Sequence, residues 1–159
     1  MQQNSVRDQA RKQERGDAVA GRVKTGKPTI KALEKLWYKV IKARDKMSVY
    51  SWEIYGKEVT EGLVAHHILG KSSYRLRFEL DNGVTITNGE HHFIAHGART
   101  RQSQFEQWAL NRLPKPRREK MMLMKWQTGG VDLDLVKVYL EQKLEEYSGR
   151  EGTIKEWAK

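Results

Sequence analysis

Cysteine is absent from the 159 residues. Disulfides and thiolate metal sites are thereby excluded, and any metal must be held by His, Asp or Glu. Long apolar runs are missing as well, and the N-terminus is polar, so nothing reads as a signal peptide or a membrane span. The expectation is a soluble, cytoplasmic protein with no membrane partner. Acidic residues are in deficit, 20 against 30 Lys and Arg, which leaves a net charge of +10. Such a surface suits a polyanion, because each Lys or Arg set against a phosphate releases counterions, and nucleic acid is the usual partner. Charge alone does not separate a nuclease from a repressor or a ribosomal protein. Internal repeats are also missing, and the length fits one domain with a tail.

Residues 1–28 carry seven Lys and Arg and few, small apolar side chains, too little to offset the entropy of ordering. They read as a flexible basic arm. From Thr29, a possible N-cap, the residues Ile30, Leu33, Leu36, Trp37, Val40 and Ile41 fall at helical spacing, giving a helix that ends near Arg44. The β-branched and aromatic stretch Val49 to Tyr55, with Gly56 behind it, reads as a short strand or hairpin. Leu63 to Ile68 reads as a strand, followed by a loop to Asp81, an Asn82-Gly83 turn signal and a second strand, Val84 to Thr87. Glu90 to Ala98 reads as a short helix. Further helices hold Phe105, Trp108 and Leu110, then Arg117 to Trp126, then Val131 to Tyr147 with Leu133, Val136, Leu140, Leu144 and Tyr147 on one face. Met121, Met122 and Met124 read as core filler. Residues 148–159 form a polar tail in which Ile154 and Trp157 are the candidates to dock.

All five histidines, His66, His67, His91, His92 and His96, lie within about thirty residues. His92 and His96 are four apart, so on a regular helix they project from one face, as two imidazoles must to share a metal. His66 and His67 are neighbours on a strand and point to opposite sides, so only one of them joins that pair. The other is free for different work.

The stretch AHHILGKSSYRLRFELDNGVTITNGEHHFIAHG closely resembles the HNH (ββα-metal) endonucleases common in bacteriophages and prokaryotes. LEKLWYKVIKARD and FEQW resemble, more weakly, the helices before and after that unit. The resemblance implies an α+β fold, a ββα-metal core embedded among several helices, over residues 29–147. It implies hydrolysis of DNA phosphodiester bonds to 5′-phosphate and 3′-hydroxyl ends. His67 would be the general base. Asn82 would tie the loop together and hold the ring of His67 in position through backbone hydrogen bonds. His66, His92 and His96 would hold one divalent metal, with Mg or Mn for turnover and Zn or Ni also suited to imidazoles. Relatives usually count nine residues from the Asn to the first helix ligand, which lands on His91. His92 is preferred because residues five apart diverge by about 140° on a regular helix, and His91 stands as the alternative ligand.

Lys71, Arg75, Arg77, Arg99 and Arg101 are the candidate DNA contacts, and the basic stretch from Arg99 to Lys125 the candidate DNA-facing flank. Many relatives carry two Cys-x-x-Cys pairs for a structural zinc. Here those places are taken by the Tyr50–Tyr55 region and by Thr87 with Glu90, so no structural zinc is expected and packing by Trp52 and Tyr55 must substitute. Three bland readings compete: a closed structural metal site built from His66, His92, His96 and Glu90 in a DNA-binding protein; a non-catalytic phage assembly or packaging module; and an RNA-directed enzyme. A homodimer or a phage protein is the further candidate partner. The discriminating residue is His67, which only a catalyst needs.

Overall fold

A computed structural model describes residues 26–151; most of the basic arm and the tail beyond Glu151, with Ile154 and Trp157, lie outside the described residues. Seven helices, a π turn and two short strands make an α+β arrangement that is mostly helical. Among the described residues no helix is long and apolar enough to cross a membrane.

Helix α1, Ile30–Asp45, starts where Thr29 accepts a hydrogen bond from the Ala32 amide, and it buries Leu33, Trp37, Val40 and Ile41. It stops at Lys46, whose φ of 60° places it in the left-handed region. Helix α2 is Val49–Tyr55, where the composition predicts a strand. Its ends decide the matter: Ser48 caps the Ser51 amide, and Gly56, at φ 64°, closes the helix. β-Propensity reports fit to a half-buried pleated surface rather than an intrinsic backbone preference, so the two caps override it.

Strands β1, Leu63–His67, and β2, Gly83–Thr87, pair antiparallel, with His66 opposite Val84 and His67 opposite Gly83. The connection between them, expected as a loop, contains helix α3, Tyr74–Phe78, capped by Ser73, and a 3₁₀ turn at Leu80–Asn82. Alternation on β2 divides the core. Val84 and Ile86 join Met47, Val49, Leu76, Ala95, Phe105 and Met121 on one face of the sheet. On the other face Thr85 donates from its hydroxyl to the Ile41 carbonyl, and its amide donates to Asp45 Oδ2 at 2.8 Å. Asp45 is wholly buried and is gripped by Arg44, which also donates to the Leu80 and Gly83 carbonyls. A buried ion pair satisfied in this way fixes position, and losing one partner strands the other charge.

After β2 come helix α4, Asn88–Glu90, and the π turn His91–Ala95; then α5, Arg99–Asn111, α6, Lys115–Trp126, and α7, Leu133–Ser148. Pro116 falls in the first turn of α6, which begins earlier than Arg117, and Asp132 caps α7. Leu140 of α7 is buried against α1 with Leu133, Val136, Leu144 and Tyr147 around it. Met121 is core and Met124 packs against it, whereas Met122 is 41% exposed and is no filler.

Gly83 is the one residue the sheet could not replace. A Cβ there would meet Ile41 Cδ1 at 2.5 Å and the Trp37 ring at 2.7 Å. Gly83→Ala therefore forces the indole away, and we expect a loss of about 1–3 kcal/mol in urea unfolding. Unchanged stability would mean that the helix shifts without cost.

Candidate active site and metal centre

The strand pairing separates the two neighbouring histidines. His67 lies on the α1 face, where its ring stacks on Trp37 at 3.9 Å and 4° and meets the edge of Tyr38 at 5.8 Å. The missing Cβ of Gly83, directly opposite His67, is what lets the indole reach that ring. His67 Nε2 lies 2.9 Å from the Arg77 carbonyl oxygen. A carbonyl can only accept, so Nε2 carries the proton and Nδ1 of the neutral ring keeps a lone pair. Burial is the largest influence on His67 and pushes its pKa below the ordinary value, with Lys71 and Arg77 adding to it against the Arg77 carbonyl and Glu34. The ring is thus neutral at neutral pH.

Asn82 is fully buried and holds the chain between the strands. Its Oδ1 accepts from the Leu69 amide at 2.8 Å, and its Nδ2 donates to the Gly70 and Leu76 carbonyls at 2.8 and 3.0 Å. It does not touch the His67 ring. Its effect reaches that ring through the loop it closes, whose Arg77 carbonyl makes the contact. Arg77 adds a second tie, donating from its guanidinium to the Lys71 carbonyl.

His66 faces the other way. Its ring lies 5.2 Å from His91, 5.0 Å from His96 and 5.3 Å from Phe105. One ligand nitrogen from each of His66, His91 and His96 lies within 4.8 Å of the others. His92, the preferred ligand on helical spacing, is exposed and outside this group. The reason is the π turn. The His96 amide donates to the His91 carbonyl at 3.0 Å, a bond across five residues that brings i and i+5 to one face and turns i+1 outward. Gly97 lets the chain leave that turn, since a Cβ there would collide with the Phe93 carbonyl. Burial, then His91, His96 and His67, pushes the His66 pKa down to about 3. His91 is lowered by burial and then by His96 and His92. Three imidazoles with ligand nitrogens this close are the donors that a borderline divalent ion takes, so the three residues fit such an ion.

Glu90 is not part of that group. Its carboxylate accepts from Ser48 Oγ at 2.6 Å, Ser51 Oγ at 2.5 Å and the Thr87 amide at 2.7 Å, while Thr87 Oγ1 caps the Glu90 amide. This buried knot ties α2 to the start of the π turn. It rests on Ser48 and Ser51, while Trp52 packs against the neighbouring core and Tyr55 is exposed.

His66, His67 and His96 line one cleft of about 240 Å³ together with Gln102, Phe105 and Glu106. Gln102 and Glu106, one turn apart on α5, carry no sequence signal that marks them for this place. A larger cleft of about 910 Å³ lies between α5 and α6 and is lined by Leu110, Met122, Leu123 and Trp126, with none of the histidines. Of the candidate DNA contacts, Lys71 and Arg77 both face Glu34, at 3.0 and 3.4 Å. Arg75, Arg99 and Arg101 form no ion pair among the described residues. Much of the basic flank is engaged within the protein: Arg112 with Glu53, Arg117 with Asp81, Lys120 with Glu79 and Lys115 with Glu119.

No family model matches the chain, and no curated protein and no solved structure shows significant similarity to it.

Zinc titration of the purified protein by calorimetry distinguishes the two histidine registers. His91→Ala should weaken binding by at least about tenfold, and His92→Ala should leave it unaltered; the reverse pattern would restore the α-helical register. The metal-free protein should also lose stability on acidification. Unfolded chain takes up a proton on His66 near pH 6.5, while the folded chain resists it down to about 3, so the unfolded state binds more protons across that window. Urea midpoints should fall from about pH 7 to about pH 5, and less steeply in His66→Gln. Equal slopes in both proteins would show that His66 does not carry the effect.

Proposed function

We propose that the chain is a metal-dependent DNA endonuclease of the HNH (ββα-metal) kind. The reading rests on one observation: His67, neutral and with its proton fixed on Nε2, borders the same cleft as two members of a three-imidazole cluster. The two imidazoles leave the strand on opposite faces, and a base and a metal-binding set that both border one small cleft are the groups phosphodiester hydrolysis requires.

His67 Nδ1 takes the proton from the attacking water. Its stack on Trp37 and its bond to the Arg77 carbonyl hold the ring so that the lone pair needs no reorientation. The Arg77 carbonyl also favours the imidazolium that forms, because Nε2–H becomes a stronger donor once the ring is charged. Asn82 is a positioning residue that keeps the loop carrying that carbonyl closed. His66, His91 and His96 would hold a divalent ion, which when bound supplies positive charge opposite the scissile phosphate and the departing 3′ oxygen. Arg75, Arg99 and Arg101, without an ion pair among the described residues, have charge to offer the DNA backbone.

A closed structural metal site is the competing reading. It draws a fourth ligand from Glu90, yet both oxygens of that carboxylate accept hydrogen bonds from Ser48, Ser51 and Thr87. It also leaves His67 with only its packing on Trp37 and its bond to the Arg77 carbonyl, and no use for the free Nδ1.

Plasmid nicking with Mg, Mn, Ni and Zn in turn tests the proposal. Metal-dependent nicking should fall by about 10²–10⁴ in His67→Ala and vanish in chelator, with DNA binding retained. Binding without cleavage under every metal would move the protein to the binding-module reading.

A further inference from the structure

Phe105, whose ring meets His66, also lines a separate cleft of about 360 Å³. Tyr50, Tyr55, Phe105 and Trp108 line it, with Arg101 among the lining residues. Tyr50 meets Tyr55 at 73° and Trp108 at 81°, so these rings are not stacked face to face with one another. Tyr55 is 55% exposed. The neighbouring carboxylate, Glu53, is neutralised by Arg112 at 2.7 Å and by the Trp108 indole N–H at 3.2 Å. Arg101 has no such partner among the described residues. An aromatic hollow bordered by one uncommitted cation, in a chain of net charge +10, matches a flat aromatic ligand carrying a phosphate.

We propose that this cleft receives an unpaired base of single-stranded DNA next to the scissile phosphate, with Arg101 against the adjoining backbone phosphate. The inference rests on the nuclease reading above and gives it a substrate class. Phe105, a buried ring, lines both this cleft and the one lined by His66, His67 and His96, so the two clefts adjoin and one strand can reach both. Bases within a duplex are stacked on each other and cannot enter. Stacking on an aromatic side chain is available to every base, so the cleft selects strand state and is tolerant of sequence.

The test is fluorescence anisotropy at one salt concentration in EDTA, which prevents cleavage, with a labelled single strand of about ten nucleotides and the same sequence closed as a hairpin duplex. Wild type should prefer the single strand, and Tyr55→Ala and Arg101→Gln should each reduce that preference by about tenfold. Tyr55→Phe, which keeps the ring, should retain it, so a loss caused by misfolding is told apart from a loss of stacking. Equal affinity for both forms, or an equal fall for both in the variants, overturns the inference. Plasmid nicking by the same wild-type sample separates the two failures: nicking without strand preference sinks this inference alone, and absence of both nicking and DNA binding sinks the nuclease reading with it.

Discussion

The antiparallel pairing of two five-residue strands governs the rest of the molecule, and within it the pairing of His67 with Gly83. A pleated strand sends neighbours to opposite faces, so one register decides that His66 meets His91 and His96 while His67 meets Trp37. A slip by one residue would exchange the two imidazoles and dissolve both arrangements. The register is guarded from beneath: Asp45 reaches the Thr85 amide, Arg44 reaches the Gly83 carbonyl, and the indole of Trp37 fills the space that a side chain on Gly83 would claim.

The second guard is the knot of Ser48, Ser51, Thr87 and Glu90. In many HNH nucleases, the class proposed above for this chain, two Cys-x-x-Cys pairs bind a zinc beside the catalytic unit. Here two pairs of oxygen-bearing residues, each with the same i, i+3 spacing, meet in a buried set of hydrogen bonds between α2 and the helix that leads to the π turn. A charged acceptor with three donors is among the stronger neutral-pH ties a metal-free protein can make. It also keeps the Glu90 carboxylate from competing for a cation, which leaves Glu106 as the carboxylate that lines the histidine cleft.

Much of the architecture was legible in the residues. Helix α1 and its Thr29 cap, the two strands, and α7 with its apolar face follow from period and capping chemistry. Helix α2 was not legible, because its β-branched and aromatic composition points to a strand and outweighs the two cap residues, Ser48 and Gly56, that set its ends. The basic flank misleads for a different reason: Arg117 meets Asp81 and Arg112 meets Glu53 across 36 and 59 residues. In the site, the opposite facing of His66 and His67 followed from strand geometry alone. The choice between His91 and His92 did not, since a regular helix was assumed where the backbone widens by one residue.

That widening alters how the site tolerates changes in length. In an α-helix, removing one residue between two ligands four apart swings one of them by about 100° and destroys the pair. His91 and His96 are five apart, with the surplus taken up by the π turn. Loss of a single codon among Phe93, Ile94 and Ala95 would leave the two imidazoles four apart on an ordinary helix, still facing the same way. The pair is buffered against deletion, and an insertion there is what would scatter it.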